Sequence, residues 1–225
     1  MKTLNTLLLC SAIFFPLNSV AQEYYAPGKV INGNGFTYVC SDQYESTILL
    51  YNKNNVFTGE PQRKKDGSLV GLDEIRPYKR TPELATKIFK AISSCLTPTD
   101  RVTVAGELLL LAMYIDSNTG KITEIDYNFF LHENAWSRLA PEKFYLIEQS
   151  LKQNVTFEIL PDGKGLNYNL CGTPVKVPNC GFLTPHLTDS TKFYEVNNGV
   201  EILHTCPTGL YFNVKKCTCT WSWDL

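Results

Sequence analysis

The residues of this chain best suited to chemistry crowd toward its C-terminal end. Cys206-Pro207-Thr208-Gly209-Leu210-Tyr211-Phe212-Asn213 is followed, after a short gap, by Cys217 and by Cys219-Thr220-Trp221-Ser222-Trp223, with Cys180 upstream. Such a set supports two kinds of chemistry. Cysteines at this density form disulfides in an oxidising compartment. Exposed aromatic rings stack on the apolar C–H faces of polysaccharides, while neighbouring amides and hydroxyls bond the polar edges of the sugar. Tyr211, Trp221 and Trp223 are the candidate platforms, with Asn197, Asn198 and Asn213 as candidate polar partners. Phe212, between a turn and a strand, is expected to pack inward instead. Trp221 suits a small core and a surface platform equally, whereas Tyr211 and Trp223 exceed what so small a unit can bury.

Catalytic chemistry finds little support. His132, His186 and His204 stand apart, with no His-x-x-x-His pairing to hold a metal. Cys217-x-Cys219 has a spacing open to metals, but in an exported chain it reads as disulfide-forming. There is no Gly-x-Ser-x-Gly elbow and no phosphate-cradling glycine loop. Glu124 and Asp126, as a glycosidase pair, would be one guess among 22 acids, and they are expected on the solvated face of a strand. The sequence therefore predicts a protein that is not an enzyme and needs neither cofactor nor metal. Asn154-Val155-Thr156 is a glycosylation sequon, meaningful only in a source that glycosylates its exports.

The other end of the chain sets the compartment. Met1-Lys2, an apolar stretch from Leu7 to Phe15 and the small-x-small site Ser19-Val20-Ala21 predict a cleavable signal peptide over residues 1–21. The protein is then secreted, either extracellular or periplasmic, and no later segment is apolar enough to span a membrane. A net charge of −1 offers no electrostatic case for nucleic acid or an acidic membrane surface. Cleavage removes Cys10 from the eight cysteines, leaving an odd set in which at least one thiol lacks an intrachain partner. Cys40 and Cys95 lie far apart in the body of the chain, while Cys171, Cys180, Cys206, Cys217 and Cys219 crowd its end. That crowding marks a small unit unable to bury enough core alone. It puts a boundary near Pro174 to Pro178, separating residues 23–177 from residues 178–225.

The elements that must position these residues can be read from periodicity. Phe36–Cys40 and Thr47–Tyr51 form a predicted hairpin. Residues 58–80 read as a loop. Thr81-Pro82-Glu83 opens a helix with Leu84, Ile88, Phe89, Ile92 and Leu96 on one face. Leu108–Tyr114, a turn at Asp116–Gly120, and alternating Ile125, Tyr127 and Phe129 make a second hairpin. Pro141-Glu142 opens a second helix carrying Phe144, Ile147 and Leu151, followed by predicted strands over 155–160 and 166–170. The fold class is α+β, an antiparallel sheet with two helices, followed by a small disulfide-stapled β-rich module.

The stretch from Cys206 to Trp221 resembles the type-2 chitin-binding family, the peritrophin-A-like domain, which carries Cys-Pro-x-Gly-Leu-x-Phe-Asn/Asp, a gap, and Cys-x-Trp. Upstream, Lys192-Phe193-Tyr194-Glu195-Val196-Asn197-Asn198-Gly199 is similar to the family's aromatic pair, and Cys180 stands at its first cysteine. Ser190 and Val196 occupy the places of the second and third cysteines, and the sequence ends at Leu225 before the place of the sixth. The resemblance implies that Cys206 and Cys219, the fourth and fifth, are paired, closing a loop at a gain on the order of 3 kcal/mol. Cys180 loses its family partner, leaving Cys217 or Cys171 to replace it; connectivity does not follow from spacing. The implied partner is chitin or another β-linked N-acetylglucosamine glycan. In order of elements, residues 81–178 also resemble the C-terminal domain of the energy transducer TonB. That resemblance implies an envelope protein-interaction module pairing a sheet edge with a protein partner's strand, the tail then serving as a structural cap.

Overall fold

A computed structural model describes residues 24–44, 47–70, 75–130 and 134–222. The predicted signal peptide, His132 and Trp223 lie outside the described residues. Among those described, no helix is long and apolar enough to cross a membrane.

The larger part of the chain is a six-stranded sheet of order β1-β2-β3-β5-β4-β6. Its strands are β1 (Val30–Gly33), β2 (Phe36–Tyr44), β3 (Thr47–Asn52), β4 (Leu108–Ile115), β5 (Ile122–Phe130) and β6 (Asn169–Lys176). All neighbouring strands are antiparallel. Helices α1 (Pro82–Ser93) and α3 (Pro141–Asn154) pack together over one face. The hydroxyl of Thr81 caps α1 by accepting from the Leu84 N–H at 3.1 Å, and Pro82 sits in the first turn, where a missing N–H costs nothing.

Strand periodicity puts Ile125, Tyr127 and Phe129 beneath the helices, with Leu50 of β3 and Leu111 of β4 alongside, all of them buried. Phe144 of α3 is the meeting point. Its ring lies 4.9 Å from Tyr127, 5.5 Å from Phe129 and 5.7 Å from Tyr25, mostly in the edge-to-face geometry that aromatic quadrupoles favour. The Tyr127 hydroxyl donates to the Phe144 carbonyl at 2.8 Å, so burial leaves no unmet donor there.

Several elements differ from expectation. The structure adds two short helices, α2 (Pro98–Thr103) and α4 (Pro161–Lys164). The first is held by a capping box between Thr97 and Asp100. Residues 155–160 do not form a strand. Thr156 and Ile159 make single bridges, to Lys121 and Tyr78, because Val155 and Phe157 turn into the core. In the expected strand over 166–170, Leu166 makes a single bridge to Lys64, and the continuous strand begins at Asn169 and runs through Pro174, within the expected boundary segment. A proline is tolerated there because β6 is an edge strand whose far side has no ladder to join.

Phe144→Ala should lower the free energy of unfolding by about 3–5 kcal/mol, read as a shift in urea midpoint at constant slope. Leu146→Ala, on the exposed side of the same helix, should change it by less than about 0.5 kcal/mol.

Candidate functional site

The C-terminal unit combines a three-stranded sheet, β7 (Leu183–Pro185), β8 (Lys192–Asn197) and β9 (Val200–Thr205), with a hairpin of β10 (Leu210–Asn213) and β11 (Thr218–Trp221). Asn198 and Gly199 link β8 to β9 with positive φ at both positions, as a tight antiparallel hairpin demands. Disulfides join Cys206 to Cys219 and Cys180 to Cys217. Cys171, the other alternative for Cys180, is buried in β6, and it remains a thiol along with Cys40 and Cys95. Phe193 stacks on Phe212 at 4.8 Å and on His204 at 5.2 Å. With Cys206 and Val196, Phe212 supplies the small interior.

The candidate sugar contacts separate on inspection. Trp221 is 49% exposed, its ring edge lying against Gly209, where a Cβ would come within 3.2 Å. Cross-strand pairing sets Trp221 opposite Leu210 and Tyr211 opposite Thr220. Adjacent pairs point to opposite faces, so Trp221 and the half-buried Tyr211 do not form one flat platform. Asn197 is exposed at the end of β8, whereas Asn198 is consumed by the turn. Asn213 departs from its expected place at the surface. It is only 2% exposed, and its Oδ1 accepts from the N–H groups of Lys215 and Lys216 at 2.8 and 3.2 Å, shaping the β10–β11 turn. Phe182, which sequence reasoning passed over, is 71% exposed; its only signal was an aromatic directly after Cys180-Gly181.

The histidines have local partners. His204 Nε2 lies 2.9 Å from Glu195 Oε2, and His186 Nδ1 accepts from the Asp189 N–H at 3.2 Å. No metal-holding cluster occurs among the described residues.

The unit is docked on the larger one through α2. Thr99 donates through its N–H and its hydroxyl to Glu201 Oε1, both at 3.1 Å. The Arg101 guanidinium lies 5.9 Å from the Tyr194 ring centre. Arg101 is buried, and its Nε and Nη1 make no hydrogen bond. Desolvation lowers its pKa from the usual arginine range.

On the sheet face opposite the helices, Glu124 and Asp126 are not solvated as expected. Both are buried, Asp126 to 3% exposure, because residues 55–58 fold over them. Glu124 accepts from the N–H groups of Val56 and Phe57 at 3.0 and 2.9 Å. Asp126 accepts from Asn55 Nδ2 at 3.0 Å, Thr58 Oγ1 at 2.8 Å and the Tyr114 hydroxyl at 2.8 Å. Burial raises the Asp126 pKa, opposed by these three donors. Two acids spaced for hydrolysis instead staple a loop.

An antiparallel sheet backed by helices, followed by a disulfide-stapled β unit, defines a two-part α+β protein. Residues 180–225 match the Chitin binding Peritrophin-A domain. Residues 22–171, more than half of the chain, match the family described as Domain of unknown function (DUF5043), and the chain belongs to that family. The region compared above with the TonB C-terminal domain falls largely within that match. A crystal structure of a DUF5043 family protein from Bacteroides uniformis superposes with a TM-score of 0.62 at 24% identity, covering 68% of this chain and 86% of the other. That likeness establishes the fold. No curated protein matches the sequence.

Two outcomes follow. The folded protein holds the Asp126 proton more tightly than the unfolded chain does. Its contribution to stability is therefore full below the ordinary carboxylate range and is lost as pH rises through the raised value. Asp126→Asn keeps an acceptor for Asn55 and Thr58 and should flatten that loss in thermal unfolding followed from about pH 4 to about pH 7. Replacing Cys206 and Cys219 together by serine should destabilise the C-terminal unit by about 3 kcal/mol, seen as an unfolding step separating from that of the larger domain.

Proposed function

We propose that this is a secreted, non-catalytic protein in which residues 178–225 bind chitin or a related β-linked N-acetylglucosamine polymer, and residues 23–177 form a separate carrier domain. The observation that carries the reading is the match of residues 180–225 to the Chitin binding Peritrophin-A domain. An exposed Trp221 beside Gly209 supplies a stacking surface. Tyr211 and Asn197 contribute on other faces of the unit, and Trp223 extends the aromatic end of the chain. Asn213 acts through the turn it shapes. Cleavage after Ala21 delivers the chain to a compartment where both disulfides persist. The non-catalytic reading is supported by Glu124 and Asp126, whose oxygens are engaged by the loop they hold.

Edge-strand pairing with a protein partner is the poorer reading. Pro174 interrupts the donors of the β6 edge, and β1, at the other edge, is 4 residues long.

The test is retention of oxidised mature protein on insoluble chitin, with cellulose and peptidoglycan as controls. Trp221→Ala should weaken retention about tenfold, the loss of roughly 1.4 kcal/mol of stacking, with the thermal unfolding profile unchanged. Trp223→Ala and Tyr211→Ala should weaken it less. Retention equal on all three polymers, or none on chitin, would reject the assignment.

A further inference from the structure

The loop stapled by Glu124 and Asp126 builds something. Register places Ala112 of β4 opposite Asp126 of β5 on one side and Gly172 of β6 on the other. These small residues leave a low row in the open face of the sheet. The row above holds Leu49, Asn128, Leu110 and Pro174; the row below holds Tyr114 and Leu170. Gly59, Glu60 and Pro61, following the stapled segment, stand at the side. The result is a recess of about 520 Å³, within the range of small-molecule sites.

Its chemistry is selective. The lining is mostly apolar, aliphatic along Leu49, Leu110, Leu170 and Pro174 and aromatic at Tyr114 and Tyr168, and Leu110 and Leu170 are 43% and 40% exposed although they face the recess. Exposed leucines gathered around a depression mark a ligand surface more than scattered exposure would. The charged groups in the lining are both acidic, Glu60 and Asp126, with no lysine or arginine. Lys176, on the same face of β6, lies two residues beyond Pro174 and outside the lining. A ligand bearing a carboxylate, phosphate or sulfonate would enter without a counter-charge and beside two acids. A flat protein surface would bridge over the Ala112–Gly172 row and leave it unfilled, at the cost of lost contacts. The wall also indicates use. Burying two carboxylates is costly unless their hydrogen bonds are met, and here the donors are residues 55–58, which lead directly into the Gly59–Pro61 side of the recess, and Tyr114.

We propose that this recess is a binding site for an uncharged, largely apolar small molecule, lying against Leu110, Leu170 and Pro174 with its polar end toward Asn128. The site belongs to the larger domain and is independent of the glycan reading of the tail, so either can fail alone.

Two dyes sharing one ring system provide the probe: neutral N-phenylnaphthylamine and its anionic relative anilinonaphthalene sulfonate. Folded mature protein should enhance the fluorescence of the neutral dye and bind it at least about tenfold more tightly than the anionic one. Gly172 supplies the blocking variant, since a Cβ built there meets nothing within 4 Å. Gly172→Trp should fill the recess and abolish binding, while Gly172→Ala retains it. Leu110→Asn, from the facing strand, should weaken binding about tenfold by removing apolar contact. Circular dichroism and thermal unfolding verify that each variant is folded. Absence of neutral-dye binding, equal binding of the anionic dye, or binding indifferent to both Gly172→Trp and Leu110→Asn would overturn the proposal. So would displacement of the dye by N-acetylglucosamine oligomers, which would make the recess a sugar site. A dimer in sedimentation velocity that Gly172→Trp abolishes would overturn it by assigning the face to a second copy of the chain.

Discussion

The two-sidedness of β5 is the constraint on which the rest of this structure depends. One face of the strand carries Ile125, Tyr127 and Phe129 into the helix-covered core, where Phe144 receives them. The other carries Glu124 and Asp126, and these too are buried. A strand flanked by β3 and β4 and covered on both faces cannot slip by one residue without putting carboxylates among aromatics and aromatics under a polar loop. The register of β3, β4 and β6 therefore follows from β5, and so does the position of the loop that walls the recess. The acids are affordable only because five donors meet them; where an active site would leave a carboxylate oxygen facing substrate, this site directs them to the protein's own chain.

The C-terminal unit solves a different problem. With Phe212, Val196 and Cys206 as its interior, it is too small to be held by apolar burial alone. Two disulfides restrict its unfolded state, and α2 gives it a surface to rest on. That contact is expensive in one respect. Arg101 is buried with Nε and Nη1 unmet, compensated in part by the Tyr194 ring and the nearby Glu201. A buried cation of this kind fixes orientation more than it adds stability. The exposed ring of Trp221 is thereby carried on a unit that rests against the larger domain.

The two proposed sites differ in ligand chemistry. An exposed tryptophan at the end of a stapled hairpin suits a polymer that lies across it, since a polysaccharide offers many equivalent C–H faces and need not be enclosed. A recess between aliphatic rows, with acids and no bases in its lining, suits a compact uncharged molecule that enters it.

Much of this was legible in the sequence, and the reason is periodicity. Helix α1 announces itself by Thr81-Pro82-Glu83 and an apolar stripe, and β5 by strict alternation; both signals are local and survive in any fold. The cysteine cluster and the Cys206–Trp221 spacing likewise identified the tail, because disulfide loops and glycine turns tolerate few alternatives. What remained hidden depends on contacts across long separations. Alternation puts Glu124 and Asp126 away from the core but cannot show that residues 55–58 return to cover them. Asn213 is the local exception: its type suits a surface amide, and only the folded β10–β11 turn brings the Lys215 and Lys216 N–H groups onto its Oδ1. Pro174 reads as a break, and only its place at the sheet edge makes it part of a strand. The pairing of Ala112 with Gly172 is invisible in a chain where they are remote from one another. The sequence by itself determined helices α1 and α3, the two hairpins of the sheet and the stapled character of the tail, since each rests on neighbouring residues. Which polar groups are buried, which rings share a face and where a recess opens were decided by tertiary structure alone, because each is set by which strands and loops come to lie side by side.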